Sequence, residues 1–539
     1  MRALSSMRTS KNESDCGPVA STFPWVFALL ACLSAWPFLP MRWLPMVDLP
    51  QHELLADALL RHASGGFSSD TYSNYFTYNL GFEVAVAGIS SLVGAVGVVA
   101  ASHLVTFLAA VGLIFSIARF RSILGLDYWP ALLASLLLLN YSAAWGFANF
   151  TLGLTLAFVA LGDALRLRRS PPASALYFRA LFVALALAAT HVLAALTACA
   201  GFALLALPSL AARPSRAHVW AWLRAGLPLM AAALYDIAAF FWARHHRVSA
   251  WENTWAEGRH LGARERLASI VQNTLGTRTD GVDKWILAAL AVAFLGATLW
   301  TLRPAPKSPL PPADGPIVTS FLAAGFAAFY LVIPTVFVAT FYVGERFASV
   351  ALLAAIATFS VPKSGAWTRI VLAAASAFAA LRLESTVRLA NDAARDGLEV
   401  LAALPASASV LPVHRDLDVE GLARSPLRHL FARHALRAGA PVGYSFLRFE
   451  SPPVRRKLPP SIPDPPAGFE ADGLRLDLTA PWARAWDVLF VIESVYSTDN
   501  ELSLRDTLTN HHPGELALIA HKGRFFAYRW ANRRAVETR

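Results

Sequence analysis

The chain has 539 residues, of which 56% are hydrophobic and only 15% are charged. Soluble proteins average about 25% charged residues, so this composition excludes an ordinary soluble protein and indicates a membrane protein. The net charge of +11 does not indicate nucleic-acid binding, because much of the basic excess lies in short loops between apolar runs. Such loops follow the positive-inside pattern of membrane proteins.

The N-terminal segment combines basic residues with a following apolar run. Residues 1–22 contain Arg2, Arg8 and Lys11, and an apolar run begins at Phe23. Basic residues stay preferentially on the cytoplasmic side of a membrane, and no small-residue cleavage site follows the run. We therefore predict an uncleaved signal anchor with residues 1–22 in the cytoplasm.

The apolar runs predict about eleven transmembrane helices. A helix needs about 20 apolar residues to cross roughly 30 Å of hydrocarbon. Keeping the basic loops on the side of the N-terminus fixes the order of the crossings. The predicted spans cover about 23–44, 100–118, 130–146, 150–166, a helical hairpin over 178–207, 219–241, 284–302, 317–338, a span between Arg346 and Lys363, and 367–384.

The apolar segment 81–118 is long enough for two crossings, but its charges favour one. Two crossings would place Arg119 and Arg121 outside, against the positive-inside rule. We therefore predict one span over 100–118 and a re-entrant or interfacial helix over the Gly-rich segment 81–99.

The run 178–207 is too long for one span and carries His191 near its middle. This pattern predicts a tight helical hairpin whose external turn contains His191. Splitting the run in this way also keeps His191 on the same side as the loop that follows the first span.

Residues 385–539 are predicted to form a small α/β domain outside the membrane, because an odd number of crossings precedes them. A helix is expected over 385–403. Short β-like runs follow, with the sequences SVLPV, WDVLFVI and ELALIAHKGRFFAYRW, and the last has a hairpin turn at Lys522–Gly523. The helix-like sequence RHLFARHALRAG lies between them.

The external loop 46–99 begins with the sequence VDLPQHELLADALLRH. Proline suits the first turn of a helix and steers the residue before it away from helical geometry, so a helix is expected to begin at Pro50. Its leucines form an apolar stripe and its charged residues lie largely elsewhere. This pattern predicts an amphipathic helix on the outer membrane surface, with Asp48 just ahead of it.

Asp48 and His52 are the candidate catalytic residues. Asp48 is expected where the first span leaves the bilayer, and a carboxylate there can take a proton from an acceptor hydroxyl. His52, one helical turn on, can orient Asp48, bind phosphate or share a divalent metal ion. The alternative is that Asp48 only caps the helix, since carboxylates favour helix N-termini, and that His52 is an interfacial residue.

Four basic residues are candidates for binding the phosphate of a lipid. Arg346 follows Glu345 at a predicted external turn, where a guanidinium suits a phosphate, and its alternative is a charge pair with Glu345. Arg244 and His245 open a basic cluster outside the seventh span, where anchoring to lipid headgroups is the alternative. His191 can touch the same phosphate or be only a polar turn residue.

The first external loop also contains Tyr72, Tyr75 and Tyr78, which recur at every third residue. They are candidates for stacking on the sugar of a substrate. The alternative is an aromatic belt at the membrane interface.

The order of these features resembles the GT-C superfamily of membrane glycosyltransferases, which use polyprenyl-phosphate-linked sugars. The matching elements are VDLPQH after the first span, the long external loop with its apolar juxtamembrane helix, ARFRSILG at the end of a span, WGFANFTLG at the next external turn, ATH in the helical hairpin, and the soluble C-terminal domain. The resemblance covers the whole chain as architecture and only these short patches as sequence.

This resemblance implies a polytopic helical membrane protein with a transmembrane domain at 23–384 and an extracytoplasmic α/β domain at 385–539. The implied activity is the inverting transfer of a sugar from a polyprenyl-phosphate donor to an external acceptor, with the first-loop acid, Asp48, as general base. The implied location is a bacterial inner membrane, with the N-terminus in the cytoplasm.

The sequence departs from the family pattern at the second external turn. Many members carry an acidic residue there, whereas this turn reads WGFANFT and no acid comes before Asp163. Two other functions therefore stay open, a non-catalytic GT-C-like scaffold and a lipid or solute transporter. A transporter lines its route with intramembrane charges, for which Glu83, Asp163 and Asp236 are the candidates.

Overall fold

A computed structural model gives the fold of most of the chain. The residues that the structure describes are 24–63, 71–73, 79–93, 97–169, 174–212, 214–245, 261–301, 316–337, 340–359, 365–414, 417–439, 441–443, 454–456, 462, 465, 480–494 and 504–531.

The first part of the described chain is helical. Two 3₁₀ segments, Trp36–Phe38 and Trp129–Leu137, follow α1 and precede α5. The helices are α1 (Pro24–Ala35), α2 (Leu49–Ala63), α3 (Gly81–Val93), α4 (Val98–Ile123), α5 (Tyr141–Ala144), α6 (Ala148–Arg169), α7 (Ser174–Thr190), α8 (Val192–Ala212), α9 (Arg216–His245), α10 (Ala263–Ala268), α11 (Ile270–Thr274), α12 (Val282–Thr301), α13 (Pro316–Val332), α14 (Val343–Thr358) and α15 (Ala366–Ala402).

Five of the described helices are long and apolar enough to cross a membrane, judged by length and composition, so the chain is an integral membrane protein. They are α4, α6, α8, most of α9, and α15. Other predicted spans hold shorter helices. In the first span α1 gives way to a 3₁₀ segment at Trp36–Phe38, because Pro37 has no amide hydrogen to donate within an α-helix. The total of eleven crossings stays a prediction.

Two helices meet at His191, as predicted, whereas the hairpin with its external turn stays a prediction. Helix α7 ends at Thr190 and α8 begins at Val192, so the break falls on the predicted residue. Helix α3 lies in the segment predicted to be re-entrant or interfacial. It has 13 residues and is therefore about 20 Å long at 1.5 Å per residue, too short to cross the hydrocarbon core.

The C-terminal part is a mixed α/β domain, as predicted. Its four-stranded sheet has the order β4-β6-β8-β7, in which β7 is Leu516–Lys522 and β8 is Phe525–Trp530. β4 (Val410–His414) and β6 (Val488–Ile492) are parallel, and the other neighbours, β6–β8 and β8–β7, are antiparallel. The hairpin β7–β8 pairs Lys522 with Phe525, and Gly523 in its turn has φ +55°, a left-handed conformation that glycine adopts without strain.

The remaining elements of the described chain are short. They are the helices α16 (Ala432–Ala438), α17 (Pro481–Arg484) and α18 (Leu504–His511), and the strands β1 (Thr71–Ser73), β2 (Val336–Phe337), β3 (Thr340–Phe341), β5 (Val454–Arg456), β7 (Leu516–Lys522) and β8 (Phe525–Trp530).

Helix α15 connects the two parts without a break. It has 37 residues and covers both the predicted last span and the predicted first helix of the tail. One hydrophobic cluster includes its residues up to Val387, and a second cluster, shared with the sheet, includes those from Ala390 onward. A single continuous helix thus fixes the tail domain on the membrane part.

The prediction that the first-loop helix lies on the outer membrane surface is wrong. Most of α2 is buried inside the protein, including the polar residues Gln51 and Glu53, each 0% exposed. Trp43 and Leu54 belong to the hydrophobic cluster of the tail domain. The apolar stripe of α2 therefore packs against other parts of the protein. A stripe of leucines predicts that a helix face is buried, but it does not distinguish burial in protein from burial in lipid.

Candidate active site

Asp48 lies directly ahead of α2, as predicted. Its backbone carbonyl accepts hydrogen bonds from the amides of Gln51 (2.9 Å) and His52 (3.2 Å), and its own amide donates to the Trp145 carbonyl (3.0 Å). Gly146 packs against this backbone. A Cβ on Gly146 would lie 2.4 Å from the Asp48 nitrogen, and its φ is +83°. Only glycine fits there, so the WGF turn fixes the position of Asp48.

The side chain of Asp48 meets the tail domain. Its Oδ1 lies 3.1 Å from Nε2 of His429, and the Asp48 side chain is 16% exposed whereas that of His429 is 3% exposed. The Asp48 charge also interacts with His52, Arg346 and Tyr342. These groups therefore surround one carboxylate that keeps some access to solvent.

His52 contacts a second carboxylate. Its Nδ1 lies 2.6 Å from Oε1 of Glu83 on α3. The Glu83 oxygens also accept hydrogen bonds from the Asn149 amide at 3.0 and 2.8 Å. Burial lowers the pKa of His52, but the hydrogen bond and charge of Glu83, together with the charge of Asp48, outweigh it and raise the pKa overall. His52 thus holds Glu83 beside the Asp48 centre.

A third buried carboxylate joins α2 to the tail domain. Glu53 accepts a hydrogen bond from Ser102 (2.6 Å) and forms an ion pair with Arg433 of α16 (3.2 Å). Burial raises the pKa of Glu53, and Arg433, Ser102 and the charge of His52 offset part of that effect. The guanidinium of Arg433 also lies over the Trp43 ring, 5.2 Å from its centroid. The tail is thereby held on the first loop by an ion pair whose carboxylate is fully buried.

Arg346 and His191, both predicted to bind phosphate, lie together. Nη1 of Arg346 is 3.3 Å from Nε2 of His191, and both residues are buried. The Arg346 guanidinium lies over the Phe147 ring, 3.7 Å from its centroid. Glu345 accepts a hydrogen bond from Thr335 (2.7 Å). Arg346 therefore lies inside the protein, in the first turn of α14.

Aromatic rings and arginines line the tail side of the centre. Trp145 stacks on Tyr342 with ring centroids 4.7 Å apart, and the Trp145 and Phe147 rings are nearly parallel at 6.4 Å. Arg424 and Arg428, both from the tail, lie 5.2 and 5.7 Å from the Trp145 centroid. The WGFANFT turn therefore supplies aromatic surface to the site in place of an acid.

Tyr342 has the one positive φ of a non-glycine residue in the described chain, +55°. This left-handed conformation is strained for a side chain with a Cβ, and such strain is typical of functional sites. It lies between the β2–β3 hairpin and α14 and places the tyrosine ring over Trp145.

The structure does not describe the side chains of the other predicted site residues. Arg244 and His245 end helix α9, and their side chains lie outside the described residues. Tyr72 is in β1, which pairs with β5, and its side chain is likewise not described. Tyr75 and Tyr78 lie outside the described residues. Their roles stay predictions.

Sequence reasoning missed the residues that come from distant parts of the chain. The sequence presents Glu83 only as an intramembrane charge and Asn149 only as part of the WGFANFT turn. Arg424, Arg428 and His429 are absent from the predicted site. A visible signal was the density of basic residues between 424 and 437, where six of fourteen are Arg or His.

A divalent metal was one option for the site. Among the described residues, no group of three or more His, Cys, Asp or Glu side chains is placed to hold a metal ion. No residue is therefore assigned as a metal ligand.

The fold is similar to that of ArnT from Cupriavidus metallidurans, whose crystal structures bound to undecaprenyl phosphate and in the apo state each give a TM-score of 0.53. Identity is 12% and 13%, and both matches cover 94% of this chain and 97% of the ArnT chain. ArnT is a GT-C glycosyltransferase. The chain has the GT-C fold. At this identity the likeness establishes the fold and not the activity.

A cryo-EM structure of the arabinofuranosyltransferase AftD from Mycobacteria matches more weakly, with a TM-score of 0.47 and 16% identity. That match covers 94% of this chain and 41% of AftD, and it adds nothing to the fold assignment. No protein-family model matches the sequence, and no curated protein matches it.

Proposed function

We propose that the protein is a glycosyltransferase that moves a sugar from a polyprenyl-phosphate donor to an acceptor outside the cytoplasm. The observation that carries this proposal is the position of Asp48. It is a partly exposed carboxylate within a buried cluster of histidines, arginines and aromatic rings. The GT-C fold and the undecaprenyl phosphate bound to ArnT support it.

The Arg346–His191 pair is suited to the donor phosphate. Nδ1 of His191 accepts the amide hydrogen of Leu193 at 3.0 Å, so the proton of the neutral ring lies on Nε2. Nε2 and Nη1 of Arg346 are then both donors, and they face each other at 3.3 Å. An oxyanion between them would accept from both, and a phosphate oxygen provides one.

In the proposed reaction Asp48 accepts the proton of the acceptor hydroxyl. The hydroxyl oxygen forms a bond to the anomeric carbon of the sugar while the bond from that carbon to the phosphate oxygen breaks. The electron pair leaves with the polyprenyl phosphate, whose charge Arg346 stabilises. Attack from the face opposite the phosphate inverts the anomeric configuration.

The proposed placement keeps residues 1–22 in the cytoplasm and residues 385–539 outside it, with a bacterial inner membrane as the location. The basic loops between the predicted spans support this orientation. The proposed domain boundary at residue 385 lies within helix α15, which continues through it.

The transporter alternative has less support. Two of its three candidate carboxyl groups are engaged: Glu83 with His52 and Asn149, and Asp163 in ion pairs with Arg119 and Arg179. Only Asp236 of these three is buried without a hydrogen-bond partner among the described residues. One such group does not line a route.

The test of the proposed function is Asp48→Asn in the purified full-length protein in lipid nanodiscs, assayed with undecaprenyl-phosphate-linked sugars and a membrane extract as acceptor. Transfer should fall by about 10²–10⁴-fold, the range that general base catalysis contributes. The matched control is Asp57→Asn on helix α2, which follows Asp48, and Asp57 pairs there with Arg61 one turn away. Equal transfer by wild type and Asp48→Asn would overturn the assignment.

A further inference from the structure

Two arginines of the tail domain lie over aromatic rings that border the proposed centre. The Arg424 guanidinium lies 5.2 Å from the ring centroids of both Tyr141 and Trp145, and that of Arg428 lies 5.7 Å from the Trp145 centroid. In the described part of the chain neither arginine has a carboxylate partner, and Nε of Arg424 is buried without a hydrogen-bond partner.

Three other arginines of the tail have carboxylate partners. Arg433, nine residues after Arg424, pairs with Glu53, and the exposed Arg395 and Arg484 pair with Asp392 and Glu515. Two guanidiniums that both lie within 6 Å of the Trp145 centroid repel each other, and an oxyanion that accepts from both would offset that repulsion.

The two arginines are separate from the donor-phosphate pair. Arg346 lies over Phe147, whereas Arg424 and Arg428 lie over Trp145, and the centroids of these two rings are 6.4 Å apart. A transferase needs two substrates beside one base. If Arg346 and His191 take the donor phosphate, the tail-side arginines are left for the second substrate.

The surface beside these arginines suits a sugar ring. Trp145 and Tyr342 are stacked and both are partly exposed, and the Tyr342 hydroxyl group interacts with the charges of Asp48, Arg424 and Arg428. Binding sites for small polar molecules combine such aromatic surface with a few charged groups that fix orientation.

We propose that Arg424, Arg428 and the Trp145–Tyr342 stack form a subsite for an anionic sugar, one that carries a phosphate or a carboxylate. Binding of an anionic sugar at this subsite does not depend on the proposed function. The identification of that sugar as the acceptor does rest on the proposed function. The tail domain then selects the acceptor by charge, since its loop supplies both arginines.

The experiment measures ligand binding, so it needs no knowledge of the natural acceptor. Full-length protein in nanodiscs is titrated with glucose 6-phosphate, glucuronic acid and glucose, and binding is followed by saturation-transfer NMR. The anionic sugars should bind wild type more tightly than glucose does. The double variant Arg424→Gln/Arg428→Gln should bind them about ten-fold more weakly or worse, because two charge-assisted contacts are lost.

The matched control is Arg395→Gln/Arg484→Gln, which removes the same charge from exposed pairs of the same domain. It should bind the anionic sugars as wild type does. A second double variant, Arg424→Lys/Arg428→Lys, keeps the charge without the planar fork and should retain part of the affinity. Partial affinity in this variant would show that the loss in Arg424→Gln/Arg428→Gln comes from the missing charges and not from misfolding.

Undecaprenyl phosphate in the nanodisc separates the two possible sources of the oxyanion. Its binding should fall in Arg346→Gln and stay unchanged in Arg424→Gln/Arg428→Gln. Loss of lipid binding in the latter variant would make the ligand the donor phosphate and overturn the acceptor assignment. If only the Arg346→Gln result fails, the proposed donor site is wrong and this subsite stands.

The proposal is overturned if wild type and Arg424→Gln/Arg428→Gln bind the anionic sugars equally. It is also overturned if wild type binds neither of them at up to about 10 mM, a concentration that detects even millimolar affinity.

Discussion

Two carboxylates, Asp48 and Asp163, lie near opposite ends of α6 and differ in how completely they are paired. Asp163 is 0% exposed and forms ion pairs with both Arg119 and Arg179. Asp48 keeps 16% exposure and contacts the histidine ring of His429. About 20 Å of helix separates Asp163 from Asn149, which packs beside the Asp48 centre, at 1.5 Å per residue.

This difference in pairing indicates a structural role for Asp163 and a catalytic role for Asp48. A carboxylate held by two guanidiniums has no oxygen left for a substrate, and its ion pairs tie together α4, α6 and α7. A carboxylate that contacts a histidine and keeps some exposure can still accept a proton. The comparison therefore predicts that changes at Asp163 affect stability and that changes around Asp48 affect activity.

The largest effect is expected at Asp163. Asp163→Asn leaves Arg119 and Arg179 without their counter-charge and should destabilise the protein by about 3 kcal/mol, the lower end for a broken buried pair, because Arg179 is 46% exposed. Thermal unfolding in detergent measures it. Asp392→Asn, in an exposed pair with Arg395, should change stability by less than about 1 kcal/mol. Equal shifts in the two variants would contradict the structural role of Asp163.

Gly146→Ala should lower both transfer activity and stability. The alanine must adopt a left-handed φ, which disfavours it by about 1–2 kcal/mol, and its Cβ would lie 2.4 Å from the Asp48 backbone nitrogen. Gly125 provides the control, since its φ is +77° and a Cβ added there would meet no heavy atom within 4 Å. Gly125→Ala should show the conformational loss of stability alone, with transfer unchanged. Similar activity losses in both variants would contradict this role of Gly146.

His429 should affect activity through the hydrogen bond that its Nε2 makes to Asp48. His429→Leu should lower kcat about ten-fold and leave KM nearly unchanged, because the Asp48 carboxylate loses the contact that orients it. His52, Arg346 and Tyr342 also face Asp48 and are unchanged. His429→Gln, whose amide can reach the same oxygen, should restore most of the rate.

The matched control for His429 is His434, which is also buried but contacts the Ala408 carbonyl within the tail domain (2.9 Å). His434→Leu should lower stability and leave kcat unchanged. An unchanged kcat in His429→Leu would show that this histidine is only structural.

The smallest effect is expected from pH acting on His52. Its pKa is raised above 6.5 in the folded protein, so the folded state binds the proton more tightly than the unfolded state does. The stabilisation is therefore fully present below pH 6.5 and is lost as the pH rises through the folded pKa. The unfolding temperature should fall from pH 6 to higher pH in wild type and fall less in His52→Gln. An identical pH dependence of the unfolding temperature in wild type and His52→Gln would contradict this contribution of His52.

Much of the fold could be predicted from the sequence because the signals are local. Apolar runs give membrane helices, the break at His191 follows from a run too long for one span, and short β-like runs after residue 403 give the sheet. Asp48 could also be placed ahead of a helix, since Pro50 marks a helix start.

The partners of Asp48 could not be predicted in this way. Glu83 is brought to the centre by Asn149 and His52, more than 30 residues away on either side. His429 comes from a domain almost 400 residues along the chain. No local pattern encodes such contacts, because they depend on how α2 packs between α3 and the tail.

The amino-acid sequence alone indicates a helical membrane protein with an α/β tail, and it makes Asp48, His191 and Arg346 candidates for the chemistry. Hydrophobicity and the backbone preferences of proline and glycine act over a few residues, so they can be read directly. The folded structure was needed to show that α2 is buried, that Glu83 supplies a second carboxylate, and that Arg424, Arg428 and His429 of the tail complete the centre. Charges distant in sequence meet only after packing removes them from water, and the geometry of that packing is a property of the whole fold.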